Sequence, residues 1–268
     1  MNNTTALCEA YDENVRPIID LIDKLRMIGL ENDISLPTVV VIGDQSSGKS
    51  SVLEAISGIQ LPRGSGIVTR CPLELKMKNS SVWSSDIQYN TISGERIEMA
   101  IETSDNVERI IRNAQIAMTA GSKDISEELI SLSVSGNDVP DLSIVDLPGI
   151  ARIAVAGQSS DICNKIKKII HKYAERENTV MLCVIPCNQD VATNESLNIA
   201  RLVDPEGKRT LGVLTKPDLI DKADAPDWLT ALQNSTEKIF CEHHQHQDSP
   251  IFSKCRVKCT VTMAARLV

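Results

Sequence analysis

Gly43, Gly48, Lys49 and Ser50 stand at the spacing of a phosphate cradle inside LPTVVVIGDQSSGKS, residues 36 to 50. An apolar β-branched run feeds the turn, and helix formers follow it from Ser50 to Ser57. In that context the glycines let backbone N–H groups converge on an anion, and the helix points its positive end at the same place. The residues expected to touch phosphate run from Gly43 through Asp44, Gln45, Ser46, Ser47, Gly48, Lys49 and Ser50 to Ser51. Lys49 is placed to reach the β/γ-phosphates, and Ser50 to ligate Mg²⁺.

Two later segments bear on which nucleotide is held. Leu142 to Val145 is an apolar strand ending in Asp146, Leu147, Pro148 and Gly149. An aspartate at a strand's carboxyl end can hold Mg²⁺ through water, and the glycine amide can meet a γ-phosphate. Leu211 to Leu214 leads in the same way into Thr215, Lys216, Pro217 and Asp218. A carboxylate there suits guanine, which presents N1–H and an amino group as paired donors, and Lys216 can lay its stem along the base. Three motifs in this order favour GTP or GDP with Mg²⁺ over ATP.

Hydrolysis needs a positioned water as well. The residue after Gly149 is Ile150, which cannot orient one. Either hydrolysis is slow or the task falls to Gln45 and Ser46 in the cradle or to Thr69 in the loop after it, because phosphoryl transfer depends mainly on positioning and charge stabilisation. Thr69 also has the side chain to complete a Mg²⁺ shell of Ser50, Thr69 and Asp146. The catalytic candidates are Gln45, Ser46, Lys49 and Thr69.

The elements that must position these residues follow from periodicity. Strand-like runs at 71–78, 86–92, 129–135, 141–146, 179–186 and 209–214 partly alternate with helical patterns at 104–120, 159–176 and 193–203. This predicts an α/β fold, a doubly wound and mostly parallel sheet of the P-loop GTPase type, with the motifs at strand carboxyl ends. Residues 1–35 carry apolar positions at Tyr11, Val15, Ile18, Ile19, Ile22, Leu25 and Met27, the spacing of an amphipathic helix, with Pro17 kinking it or marking its start. The basic stretch Lys165 to Lys172 alternates with isoleucine and reads first as the solvated face of a helix, with a patch that contacts a partner or lipid as the alternative.

Composition narrows the classes. The chain has 268 residues, 42% hydrophobic, enough for one large domain with a core. A net charge of -8 argues against nucleic acid as a direct ligand. No run approaches the ~20 apolar residues of a membrane span, and the start has no basic n-region, so a cytoplasmic protein is expected. The 8 cysteines read as buried hydrophobes or free thiols, and Cys241, His243, His244, His246, Cys255 and Cys259 match no standard zinc spacing.

GDQSSGKS, LPRGSGIVTR at 61 to 70, DLPG and TKPD together resemble the GTPase domain of the dynamin superfamily. The wider wording, including Tyr11 to Leu30 and Val203 to Gly207, is similar to its interferon-induced Mx members. The resemblance implies antiviral defence as the role. It also implies a charge-compensating monovalent cation placed by Gln45 and Ser46 and shared by the carbonyls of Gly64 and Gly66. A homodimer through docked GTPase domains is implied, with the loop Asn188 to Asn194 a candidate for that face. Viral nucleoprotein, microtubules or membranes are the implied partners, and the N-terminal helix would be one member of a three-helix bundle.

The resemblance divides the chain into a helix at 1–35, a GTPase domain at 36–222 and an atypical part at 223–268. After Asp221 the wording passes quickly from Lys222–Gln233 to Phe240-Cys241-Glu242-His243, as if roughly one α/β unit of ~30 residues were missing. Such a loss would leave neighbouring backbone unpaired and weaken guanine discrimination. The competing expectation is therefore a weakly hydrolysing module that acts through partners, and without a stalk no rings or filaments would form.

Overall fold

The computed structural model describes residues 38–64, 67–137, 139–140, 142–151, 153–154, 158–189, 193–219 and 238–241, with Pro17, Ile18, Leu21 and Leu25. The β-branched run before the cradle forms strand β1 (Thr38–Gly43). Gly48, at φ 103, then turns the chain into helix α1 (Lys49–Ser57), which stops at Gly58, φ 68, whose N–H caps the Glu54 carbonyl. Glycine meets both positive angles without a Cβ penalty.

Strands β2 (Leu73–Asn79), β3 (Ser84–Asn90) and β4 (Arg96–Ile101) come next, then helix α2 (Val107–Thr119). β5 (Ile130–Gly136) and β6 (Leu142–Asp146) precede helix α3 (Ile162–Ala174) and β7 (Thr179–Pro186). Helix α4 (Glu195–Val203), β8 (Thr210–Thr215) and β9 (Lys238–Cys241) complete the described elements. Among the described residues the sheet is 9-stranded, in the order β4-β3-β5-β2-β6-β1-β7-β8-β9. Pairing is parallel from β6 through β1, β7 and β8 to β9. β2 runs antiparallel to β6, and β3 antiparallel to both β4 and β5.

Alternate strand residues feed two cores. Val41, Leu182, Val184 and Val213 pack with Val52 and Leu53 of α1 and Ile111 of α2. Val40, Ile42, Met181, Cys183 and Ile185 pack with Ile162, Ile166 and Ile169 of α3 and Leu197 of α4. Helices on both faces of one sheet are the doubly wound arrangement expected, and it sends β1, β6 and β8 to one edge with their carboxyl ends together. Two lysines of α3 are paired with acids at its surface: Lys165 bonds Asp124 at 2.9 Å and Lys167 bonds Glu195 at 2.6 Å.

Three findings depart from the sequence reading. β4 was not expected; it is the return arm of a hairpin whose turn is closed by Thr91 N–H to the Glu95 carbonyl at 2.8 Å. The helix over 104–120 splits into a 3-10 turn, Ser104–Asn106, and α2. The third corrects the expectation of bare backbone beside β8, because β9 pairs parallel to it from Leu211 with Lys238 to Leu214 with Cys241. The N-terminal helix falls outside the described residues except at its four helical positions, of which Ile18 is 54% exposed. The tail beyond Cys241, with His243, His244, His246, Cys255 and Cys259, also lies outside them.

The turn from α4 into β8 is held by a reciprocal pair. Arg209 donates to the carbonyls of Ala174, Arg176, Thr179 and Val203 at 3.3, 3.1, 2.7 and 3.1 Å, capping two helix ends. Asp204 accepts from the Lys208 and Arg209 amides and the Thr210 hydroxyl at 3.1, 2.8 and 2.7 Å. Burial pushes the Asp204 carboxyl up, but those donors outweigh it and hold it below the ordinary carboxylate range. A depressed value means that this stability is present above the unfolded pKa and disappears as pH falls through the folded one. Urea unfolding at pH 7 and pH 3 should show Asp204→Asn weakened at neutrality and less acid-sensitive than the parent. Equal acid sensitivity in both chains would refute the assignment.

Candidate functional site

The turn between β1 and α1 has almost no freedom. A Cβ on Gly43 would lie 2.6 Å from Ser47 Oγ and 2.8 Å from the Val184 carbonyl, and one on Gly48 would lie 3.2 Å from Thr215. Ser46 adopts φ 63, in the left-handed region. On one flank the Gln45 amide donates to the Ile150 carbonyl at 3.0 Å, and the Ile150 amide to Gly43 at 3.1 Å. On the other, the Thr215 hydroxyl donates to the Ser47 carbonyl, and the Lys216 ammonium to the Ser46 carbonyl at 2.6 Å. These partners engage the carbonyls of Ser46 and Ser47, while the first amides of α1 have no acceptor within the helix and can meet an incoming anion.

Lys49, Asp146 and Thr69 meet at the floor. Lys49 Nζ lies 3.0 Å from the Gly43 carbonyl and 3.4 Å from that of Asp44. Burial lowers its pKa, opposed by the charges of Asp146 and Asp44. Thr69 Oγ1 donates to Asp146 Oδ2 at 2.9 Å. Burial raises the Asp146 carboxyl to about 6, against the pull of Lys49 and the Thr69 hydroxyl. Gly149 allows the close approach here, since a Cβ on it would stand 3.0 Å from Lys49 Nζ and 3.2 Å from Gln45 Cα.

Around this floor is a cleft of about 250 Å³. The predicted Gln45, Ser46, Ser47, Gly48, Lys49, Ser50, Ser51, Gly64, Thr69, Gly149 and Lys216 line it. Ser47 contributes backbone, being 1% exposed with its hydroxyl turned toward Gly43. Asp44, Leu147 and Thr215 are buried behind the wall, and Asp146, also buried, lies beneath the floor without lining the cleft. Pro148 follows Leu147 into the buried approach to Gly149. Pro217 opens a 3-10 turn that carries Asp218, which is exposed and does not line the cleft. Gly66 lies outside the described residues, as do Asp190 to Ala192 of the loop Asn188 to Asn194.

Ile150 is 2% exposed and faces the core, so it leaves water placement to other groups. Residues not foreseen as lining are Pro62, Arg63, Ile67 and Val68. Arg63 is ion-paired with Glu54, and its carbonyl accepts from Arg112 at 2.6 Å. The signal was there in LPRGSGIVTR, where Pro62 and Arg63 immediately precede Gly64 and where Ile67 and Val68 lead into Thr69.

A divalent cation fits the donors present. Asp146 Oδ1 is buried without a hydrogen-bond partner among the described residues. Thr69 is already bonded to the other oxygen of that carboxylate, and Ser50 lines the same cleft. Oxygen donors of this kind suit Mg²⁺. Among the described residues no group of three or more His, Cys, Asp or Glu side chains is placed to hold a metal.

A family model described as the Dynamin family matches residues 39–217, from the first strand to the second residue after Thr215. The chain belongs to the dynamin family. It is 56% identical over 216 residues to the interferon-induced GTP-binding protein Mx of Perca fluviatilis, covering 81% of this chain and 71% of that protein. To Mx1 of Ictalurus punctatus it is 53% identical over 234 residues, 86% of this chain and 37% of the relative. To Mx1 of Oncorhynchus mykiss the figures are 56% over 222 residues, 83% and 35%. The chain thus spans about a third of the length of most of these relatives. No helix among the described residues is long and apolar enough to cross a membrane.

In this dynamin-family site the hydroxyl of Thr215 is a brace for the cradle. Thr215→Val keeps its shape and removes the donor to a buried carbonyl, which should cost about 1–3 kcal/mol in urea unfolding. Thr215→Ser should recover most of that loss. A valine variant as stable as the parent would show the bond to be dispensable.

Proposed function

We propose that the chain is an Mx-type GTPase domain that binds GTP with Mg²⁺ and hydrolyses it to GDP and phosphate, in an interferon-induced antiviral role. The observation that carries this reading is the braced turn with Lys49, Asp146 and Thr69 gathered beneath it. The relatives, named as GTP-binding proteins, support guanine as the base. Asp218, at the turn that follows Lys216, is the group to read N1–H and the amino group.

Phosphate oxygens would take the amides of the α1 N-terminus and draw the Lys49 ammonium from the Gly43 carbonyl. Ser50, Thr69 and Asp146 would hold Mg²⁺, whose chemistry there would be to neutralise phosphate charge. A water placed by Gln45 and Ser46 attacks the γ-phosphorus, the bond to the β-bridging oxygen breaks, and the water's protons leave with phosphate and solvent. Low local dielectric strengthens each of these fixed dipoles. Gly64 and Gly66 carbonyls are the further candidates that would hold a charge-compensating monovalent cation.

The role of the loop Asn188 to Asn194 in pairing two domains across their nucleotides is part of the same proposal. Asn194 anchors that loop as the N-cap of α4, accepting from the Leu197 amide at 3.2 Å. β9 supplies the strand beside β8, so the module is proposed to be active and not a remnant.

Phosphate release by the purified chain tests the reaction. Gln45→Ala should lower kcat about a hundredfold while GTP affinity stays within a factor of about two. Lys49→Ala should abolish both, and GDP but not ADP should raise the melting temperature, by about 2.7 kcal/mol of stability at a hundred times Kd. Equal loss of affinity and turnover in Gln45→Ala would contradict its assigned role, and stabilisation by ADP would overturn guanine specificity.

A further inference from the structure

The segment 122–128 joins two parts of the molecule that the proposed reaction needs. On one side it grips Arg70, the neighbour of Thr69: the Ser126 amide donates to the Arg70 carbonyl at 2.9 Å, and the Arg70 guanidinium donates to the Ser122 carbonyl at 3.0 Å. On the other it is fastened to α3, the first helix after Gly149. Lys165 Nζ donates to Asp124 Oδ2 at 2.9 Å, and Lys168 pairs with Glu127 at 3.5 Å. Between the two, Ile125 packs on the apolar cluster that holds Ile67, Ile162 and Ile166.

Asp124 uses both oxygens for this. Oδ1 accepts the Ile125 amide at 3.0 Å and shapes the turn, while Oδ2 takes the lysine. The Lys165 bond holds the carboxyl below its ordinary range. Side-chain exposures of 39% for Lys165 and 31% for Asp124 put the pair in a modest energetic class. Its lever lies in location, because a shift of the segment moves Arg70 and the Thr69 hydroxyl that faces Asp146.

We propose that Asp124 is a positioning residue for the divalent-cation site: its pairing with Lys165 clamps the 122–128 segment to α3 and thereby holds Thr69 Oγ1 against Asp146. The part concerning the cation rests on the function proposed above; the clamp itself does not.

Amide exchange on the nucleotide-free chain tests the clamp directly. In Asp124→Asn, peptides covering residues 67 to 72 should exchange roughly two- to fivefold faster, with the melting temperature little changed. The charge swap Asp124→Lys with Lys165→Asp should restore slow exchange. Binding of a fluorescent non-hydrolysable GTP analogue should then need roughly two- to fivefold more Mg²⁺ in Asp124→Asn, with GDP affinity unaltered. Unchanged exchange at 67 to 72 overturns the proposal. So does a matching fall in melting temperature and in affinity for both nucleotides, which marks a purely structural residue. Failure of the parent chain to bind the analogue would count against the proposed function, while the exchange result still decides the clamp.

Discussion

The structure depends on holding a short turn in a conformation it would not keep alone. Gly48 takes its positive φ without strain, but Ser46 also sits at positive φ, and backbone strain of this kind persists only where the surroundings over-determine it. Two neighbours do so. Ile150 exchanges backbone bonds with Gly43 and Gln45 from one side, while Thr215 and Lys216 donate to the carbonyls of Ser47 and Ser46 from the other. Three strand ends far apart in sequence therefore converge on one bend of eight residues, and the anion site exists because they do.

Everything else aligns those ends. Parallel pairing of β6, β1, β7 and β8 brings Asp146, Gly43 and Thr215 to the same edge of the sheet. The two cores fix the sheet from both faces, and the Asp204–Arg209 pair ties the end of α4 to the start of β8. A polar residue buried in each layer would ordinarily be a cost. Here Lys49 and Asp146 are buried together beneath the turn, and each offsets part of the other's desolvation.

Much of this was legible in the sequence because phosphate binding constrains backbone. Gly43, Gly48, Lys49, Gly149 and Thr215 are required by close approaches of 3.2 Å or less, or by direct bonds. Such constraints leave fixed spacing behind. β4 and β9 left weaker traces, since a hairpin return strand and a four-residue edge strand carry little periodicity. The brace from Lys216 to Ser46 was hidden for another reason: the lysine pattern suggests a base contact, and its second use is visible only once β1 and β8 lie two strands apart. Arg70 and Asp124 gave no sign at all, because their partners are main-chain groups and a lysine on a helix with several.

Calorimetric titration of the chain with GTP in the presence of Mg²⁺ bears most directly on the claim that the braced turn is a triphosphate site. The account predicts saturable binding at one site per chain, retained in Gln45→Ala and lost in Lys49→Ala. Absence of heat with any guanine nucleotide, from protein shown to be folded, would contradict it.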